Sequence, residues 1–298
     1  MSKFIISTDS SADLYASFLK EQNVHCIAMK RIVNGEEKGE IFNRVQEFDA
    51  FYEEIKSGAL PTTTQLNSYE LEEYFNGILA NESQGDIIHI ALSSGLSGTC
   101  DNAKAAAAEI NKRLTDRKVF VIDSLIATGG VAMLIDRAIE LRNSGVGTSD
   151  AIATIERVRN HQQGWVIVTD LFHLKRGGRI SGFKAALGTL LGVRPIVAVA
   201  KNGRLAIENT VKGSKKAINY VLNKIETLGV KAKSNFFDSP IYLIRSSQSE
   251  LYDEFKEALI KEYPKAKIKE SVVGPIVGTH LGGGCAIAVF EGAERLDI

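Results

Sequence analysis

In the first half of the chain, short runs rich in Ile and Val alternate with stretches of helical periodicity, and this alternation most constrains the fold. The runs predict strands at Phe4–Ser7, Val24–Met29, Asp86–Leu92 and Lys118–Ile122. The helical stretches are roughly 45–57, 68–80, 98–114 and 127–143. Strands of this composition that alternate with helices are typical of a parallel sheet covered on both faces. The first half is therefore predicted to be a parallel α/β/α domain.

The second half has a different pattern. A hairpin signal, Lys201-Asn202-Gly203, separates two apolar runs and predicts adjacent antiparallel strands. The strands predicted here are Trp165–Thr169, Arg194–Ala200, Leu205–Val211, Ile241–Ile244, Ile268–Val273 and Ala286–Phe290, with helices at Phe183–Leu191, 213–228 and 248–263. That mixture indicates a two-layer α/β domain with a mixed sheet. A chain of 298 residues has room for two domains, predicted as 1–155 and 156–298.

Charge, hydropathy and cysteine content disfavour several classes of protein. Lys+Arg and Asp+Glu are each 36, and zero net charge disfavours a nucleic-acid-binding protein, which usually carries a basic excess. No apolar run is long enough for a transmembrane helix, and the N-terminal apolar run is too short for a signal peptide. Cys26, Cys100 and Cys285 lack the spacing of a metal site, and their odd number argues against a disulfide framework. A cytoplasmic location is expected, because that compartment keeps thiols reduced.

Three loops that follow predicted strands are short, rich in hydroxyl groups and placed just before a helix. They are Thr8–Ser11, Ser93–Thr99 and Asp123-Ser124. Ligands of open parallel sheets bind at the carboxyl ends of the strands, so these loops are candidate binding loops. The Ser93–Thr99 loop holds four hydroxyl side chains and two glycines beside a helix N-terminus, which suits an anion. The alternative is that Ser93 or Ser97 only caps the helix.

Three further segments are candidates for the same site. Pro61–Gln65 places three consecutive threonines before a helix and offers hydroxyl and amide donors together. Leu174–Ser181 is a basic, glycine-rich turn, and Gly274–Gly284 is a glycine-rich loop that brings the imidazole of His280 near a ligand. Apolar side chains at helical spacing follow the basic turn and either join the core or line a tunnel for an apolar tail. They are Phe183, Leu187, Leu190 and Leu191.

Together these segments resemble the DegV family. The matching motifs, in the family's order over essentially the whole chain, are Thr8-Asp9-Ser10, Pro61–Gln65, Ser93–Thr99, Asp123-Ser124, Leu174–Ser181 and Gly274–Gly282. The chain departs from the family pattern at Thr64, where Ser is usual, and at Leu66, where Pro is usual. It also has Gly282-Gly283-Gly284 where Gly-Pro-Gly is frequent. None of these departures removes a hydroxyl or the imidazole.

The resemblance implies a fold of two α/β domains that encloses one long-chain, palmitate-like fatty acid between them and uses no other cofactor. It implies that the hydroxyls of Thr63 and Ser93 meet the carboxylate of the fatty acid. The residues that would complete the polar network are Thr62, Ser94, Arg179 and His280.

The resemblance also implies a carrier that performs no chemistry itself. Such proteins are similar to the binding subunits of a fatty acid kinase, whose separate ATP-using subunit phosphorylates the bound acyl group for phospholipid synthesis. A basic patch near the slot is a candidate docking surface for that kinase subunit. The patch consists of Lys175, Arg176 and Lys184.

Two other functions stay open on the residues alone. A serine hydrolase would use Ser93 or Ser94 with His280, although the chain lacks the Gly-x-Ser-x-Gly elbow. Asp9 and Asp123 are the candidate acids to orient that imidazole. A phosphate or nucleotide binder would use Gly177-Gly178-Arg179, but the Lys-Ser/Thr pair of a P-loop is missing.

Overall fold

The computed structural model describes residues 4–39, 41–181, 192–295 and 297, with Ser181 described by its backbone alone. The strands of the first half are β1 (Phe4–Asp9), β2 (Val24–Ile27), β3 (Lys30–Val33), β4 (Glu36–Lys38), β5 (Thr62–Thr64), β6 (Asp86–Ala91) and β7 (Val119–Asp123). The helices are α1 (Ala16–Glu21), α2 (Val45–Lys56), α3 (Ser68–Asn81), α4 (Thr99–Asn111), α5 (Gly129–Asn143) and α6 (Thr148–His161). A 3-10 turn at Ser10–Ala12 follows β1.

A parallel sheet forms the centre of the first half, with the strand order β2-β1-β6-β7. Its middle strands are buried along nearly their whole length, because α3 and α4 cover one face and α5 and α6 the other. Helix α3 begins at a capping box, in which the side chain of Asn67 accepts the Glu70 amide and Glu70 accepts the Asn67 amide. The predicted parallel α/β arrangement of this half is confirmed.

A small antiparallel sheet, in the order β4-β3-β5, lies beside the parallel one. The sequence predicted no strand at Pro61–Gln65, but the structure has one at the three threonines. They form β5, because β-branched residues favour an extended backbone and because β3 offers a partner strand with Arg31 opposite Thr63.

The second half is a mixed sheet of seven strands with helices packed on it. Its strands are β8 (Gln162–Ile167), β9 (Ile180–Ser181), β10 (Val193–Val199), β11 (Leu205–Lys212), β12 (Ile241–Arg245), β13 (Ile268–Val272) and β14 (Ala286–Glu291). Its helices are α7 (Phe172–Arg176), α8 (Ser214–Ile225), α9 (Glu250–Glu262) and α10 (Pro275–Leu281). The strand order is β13-β12-β14-β8-β10-β11-β9. This confirms the mixed sheet, and the predicted hairpin joins β10 to β11.

The segment 274–284 is not the glycine-rich loop that the sequence indicated. Seven of its residues form α10, which has Pro275 in its first turn and ends at Gly282, whose φ is 77°. Proline suits the first turn of a helix and glycine suits its end, so the local sequence fits a short helix. The predicted helix Phe183–Leu191, with its apolar side chains, lies outside the described residues.

Helix α5 lies between the two large sheets and contacts both. It packs on β1 and β6 on one side and on β12 and β14 on the other. The predicted domain boundary after residue 155 falls within α6 and stays a prediction. Within the described ranges, none of the helices has the length and apolar character needed to cross a membrane.

Candidate functional site

Buried carboxylates hold the loops at the carboxyl ends of β1, β6 and β7. Asp9 accepts the backbone amide of Leu92 at 2.8 Å and that of Ser11 at 3.0 Å. Asp123 accepts the amides of Ser94 at 3.1 Å and Leu125 at 3.0 Å. The cap of the turn after β1 is therefore Asp9. These bonds fix the loop backbones before any ligand binds.

Ser93 ties its loop to the hairpin turn of the second half. Its side chain is fully buried, donates to the carbonyl of Gly203 at 2.9 Å and accepts the amide of Gly95 at 3.1 Å. A Cβ at position 95 would lie 2.8 Å from the carbonyl oxygen of Asn202, so only glycine allows this approach. The two halves of the chain thus meet tightly at this loop.

Thr63 and His280 form a hydrogen-bonded pair across β5 and α10. The hydroxyl of Thr63 lies 2.8 Å from Nε2 of His280. Burial lowers the pKa of His280 to about 4, and the positive charges of Arg179 and Arg176 add to this effect. The imidazole is therefore neutral at neutral pH. Its Nδ1 atom is buried and finds no hydrogen-bond partner among the described residues.

The basic turn, which begins within the last residues of α7 and leads into β9, contacts two of the other candidate segments. Nε of Arg179 donates to the carbonyl of Leu96 at 3.2 Å, in the loop that begins at Ser93. Arg176 donates to the carbonyl of Pro61 at 2.6 Å, just before β5. The turn therefore links the Ser93 loop to the strand that carries Thr63.

A cavity of about 280 Å³ opens beside these groups. It exceeds the ~150 Å³ of an engineered apolar cavity that takes up benzene. Its apolar lining comes from the inner face of the mixed sheet, from α10 and from the loops after β6 and β7. Those residues include Gly164, Val166, Val199, Leu205, Ile287, Val289, Ile276, Val277, Leu281, Leu92, Leu96 and Ile126. The polar lining residues are Thr63, Thr64, Gln65, Ser97, Thr128, Arg179 and His280.

The structure brings three of the predicted site residues together at the cavity wall: Thr63, Arg179 and His280. Thr62 has an exposed side chain. Ser93 and Ser94 belong to the loop whose next residues, Leu96 and Ser97, line the cavity.

Sequence reasoning did not identify Gln65, Ser97 or Thr128 as residues that line a ligand cavity. Gln65 and Ser97 lie within motifs that were recognised, but Thr128 fell inside the predicted helix 127–143. Nothing in its local sequence marked it as a cavity residue.

The arrangement around His280 differs from that of a serine hydrolase. The hydroxyl within hydrogen-bond distance of its Nε2 is that of Thr63, whereas the hydroxyl of Ser93 donates to Gly203. A catalytic serine needs its base within hydrogen-bond reach. In the part of the chain that the structure describes, no group of three or more His, Cys, Asp or Glu residues could hold a metal ion.

Comparisons with known proteins agree with this architecture. The chain is 29% identical to the DegV domain-containing protein CPE0026 of Clostridium perfringens over 296 residues, 99% of each chain. It is 30% identical to YteA of Lactococcus lactis over 290 residues, 97% of each. It is 28% identical to DegV, a fatty acid binding protein from Bacillus subtilis, whose structure matches with a TM-score of 0.78 over 98% of this chain and 100% of that one.

A DegV family protein of Thermus thermophilus shares the fold at 24% identity, with a TM-score of 0.82 over 97% of this chain and 99% of that one. Residues 3–292 match the sequence model of a protein family that is described as uncharacterised protein, DegV family. With nearly its whole length matched in sequence and in fold, the chain belongs to the DegV family.

Proposed function

We propose that this chain binds a long-chain fatty acid, with the carboxylate at Thr63, Arg179 and His280 and the tail in the apolar cavity. The observation that carries the proposal is the 2.8 Å pair of Thr63 and His280 at the wall of a largely apolar cavity. The DegV protein of Bacillus subtilis, which is a fatty acid binding protein and 28% identical to this chain, supports the same ligand class.

The energetics of such a ligand suit this site. Burial of about fifteen methylenes stabilises a complex by roughly 12 kcal/mol, at ~0.8 kcal/mol for each. Association costs about 4–15 kcal/mol, so the tail supplies most of the affinity. The carboxylate must be hydrogen-bonded because a bare buried charge is prohibitive. The Arg179 guanidinium and the Thr63–His280 pair provide the donors: one proton of the pair joins the two side chains, and the other is left for the carboxylate.

Ser93 and Ser94 complete the proposed polar network, whereas Thr62, whose side chain is exposed, stays outside it. The hydroxyl of Ser93 donates to the carbonyl of Gly203, so it must exchange that acceptor to reach a carboxylate directly. The amide of Ser94 is held by Asp123, which fixes the backbone next to the proposed head-group site.

Ligand identification tests the proposal directly. The purified protein is denatured and extracted, and the extract is analysed by mass spectrometry for free fatty acids at one per chain. Displacement of a fluorescent fatty acid by octadecanoate measures affinity in solution. A protein that yields no fatty acid and does not bind the fluorescent probe would overturn the proposal. Turnover of a chromogenic ester, abolished by Ser93→Ala, would favour the hydrolase instead.

We further propose that the bound acid is presented to a fatty acid kinase subunit, which transfers the phosphoryl group from ATP. The exposed Lys175 lies at the end of α7 next to Arg176, which donates to the carbonyl of Pro61 just before β5. Lys184, the third member of the proposed basic patch, lies outside the described residues. Lys175→Glu is expected to slow acyl-phosphate formation in a reconstituted reaction while fluorescent fatty acid binding is retained. An unchanged rate would count against docking at this patch.

A further inference from the structure

Thr128 combines an unusual backbone conformation with a buried hydroxyl that lacks a well-formed hydrogen bond. It is the N-cap residue of the fifteen-residue helix α5, yet its side chain makes no capping hydrogen bond. Its φ of 50° and ψ of −131° are outside the regions that β-branched residues normally occupy. The side chain is only 5% exposed, lines the cavity, and its Oγ1 finds no well-formed hydrogen bond among the described residues. Strain of this kind is typically retained at functional positions.

The carboxyl group of Asp13 neighbours the side chain of Thr128. Its carboxyl group is buried, and the hydroxyl of Thr128 and the backbone amide of Gly274 are its neighbours. Neither carboxyl oxygen makes a well-formed hydrogen bond within the described ranges. Burial raises the pKa of Asp13 to about 7, so the group can serve as a hydrogen-bond donor or acceptor near neutral pH. Two buried polar groups without a well-formed hydrogen bond therefore adjoin each other, and one of them, Thr128, lines the cavity.

This pair is separate from the proposed head-group site. Gly274 precedes α10, whereas His280 is in its last turn. The six residues from Gly274 to His280 correspond to roughly 9 Å along the helix axis, at ~1.5 Å for each residue. Ile276 and Val277, near the start of α10, add apolar side chains to the lining of the same cavity. An acyl chain whose carboxylate is at His280 would therefore run past apolar side chains before it meets Thr128.

We propose that Thr128, supported by Asp13, is a second polar subsite that accepts a hydroxyl group carried along the acyl chain of the ligand. The preferred ligand class is then a long-chain hydroxy fatty acid, an inference that rests on the proposed function. The ligand hydroxyl donates to Oγ1 of Thr128, whose own proton is directed at the Asp13 carboxyl. Elsewhere along the apolar walls a hydroxyl would lose its water without gaining a partner, so the position of the hydroxyl on the chain is selected.

Competition binding tests the subsite. Octadecanoate and a series of hydroxyoctadecanoates, with the hydroxyl on successive carbons, displace a fluorescent fatty acid from the full chain. One isomer is expected to bind with a Kd within about threefold of that of octadecanoate, and the others more weakly by about tenfold or more. In Thr128→Val the Kd ratio of the favoured isomer to octadecanoate rises about tenfold, because the acceptor is lost while the shape is kept. Thr128→Ser keeps the hydroxyl and the ratio.

The outcomes separate this inference from the proposed function. If octadecanoate binds the wild type but all hydroxy isomers are weakened alike, the subsite is refuted and fatty acid binding stands. A positional preference that persists in Thr128→Val refutes the role of Thr128. If octadecanoate itself does not bind, both proposals fail. Should Thr128→Val not fold, the isomer series on the wild type and on Thr128→Ser still decides whether a position is selected.

Discussion

The imidazole Nε2 of His280 lies 2.8 Å from the hydroxyl of Thr63, although 217 positions separate the two residues in the chain. Thr63 is on β5, in the small sheet of the first half, and His280 is in the last turn of α10, in the second half. Helix α10 packs against β3 and β5. The polar edge of the cavity is thus formed where a helix of one half contacts a sheet of the other.

Thr63→Val should weaken fatty acid binding by about 1–3 kcal/mol, because the variant keeps the shape of the side chain but lacks the hydroxyl that meets the carboxylate. Displacement of a fluorescent fatty acid measures the change. Thr62→Val in the same strand is the matched comparison, since the Thr62 side chain is exposed. Equal affinities of Thr63→Val and the wild type would remove Thr63 from the head-group site, and a loss in Thr62→Val would add Thr62 to it.

His280 should make the protein sensitive to acid. Its pKa is lowered from 6.5 to about 4 in the folded state, so the unfolded chain binds more protons between these values. The contribution to stability is complete above a pH of about 6.5 and is lost as the pH falls towards about 4. His280→Gln should therefore reduce the difference in unfolding free energy between about pH 7 and pH 4.5, by about 1–3 kcal/mol. Urea unfolding of the wild type and of His280→Gln at both pH values measures this difference. If the difference is the same in the two proteins, the lowered pKa of His280 is contradicted.

Gly164 on the central strand β8 should set the length of tail that the cavity accepts. A Cβ there would lie 2.8 Å from Cγ2 of Val199 and 3.3 Å from Cδ1 of Ile126, and both side chains line the cavity. Gly164→Ala pushes them into the cavity, so affinity for octadecanoate should fall relative to dodecanoate by about 1–2 kcal/mol, the burial of one or two methylenes. Gly77→Ala is the control, because its added Cβ meets nothing within 4 Å. An equal loss of affinity for octadecanoate and dodecanoate would indicate that Gly164→Ala disturbs the whole binding site and not the length of tail that it accepts.

Ser93→Ala should lower both stability and affinity. The carbonyl of Gly203 loses its donor and the amide of Gly95 its acceptor, which reduces the free energy of unfolding by about 1–3 kcal/mol. Fatty acid affinity is expected to fall by a similar amount, if the hydroxyl exchanges Gly203 for the carboxylate. Chemical denaturation and probe displacement give the two values independently, and Ser83→Ala, at an exposed position, is the control. Loss of stability with unchanged affinity would leave Ser93 a purely structural role.

The sequence by itself determined both large sheets and most of the helices. Local hydrophobic periodicity encodes the buried strands β1, β6 and β7 and the helices between them. This periodicity can be read from a short stretch of sequence without knowledge of the rest of the chain. The hairpin between β10 and β11 was predictable for the same reason, because Lys201-Asn202-Gly203 specifies its turn locally. The motif segments around Ser93 and His280 were also recognisable as candidate binding segments.

Only the tertiary structure decided how those segments meet. The three residues of β5 form a strand because β3 supplies the hydrogen-bonding edge, and α10 is held by packing on β3 and β5. The pairing of Thr63 with His280, the engagement of Ser93 by Gly203 and the position of Thr128 at the cavity wall all join residues distant in the chain. Contacts of this kind depend on packing between elements, and no local pattern of side chains encodes them.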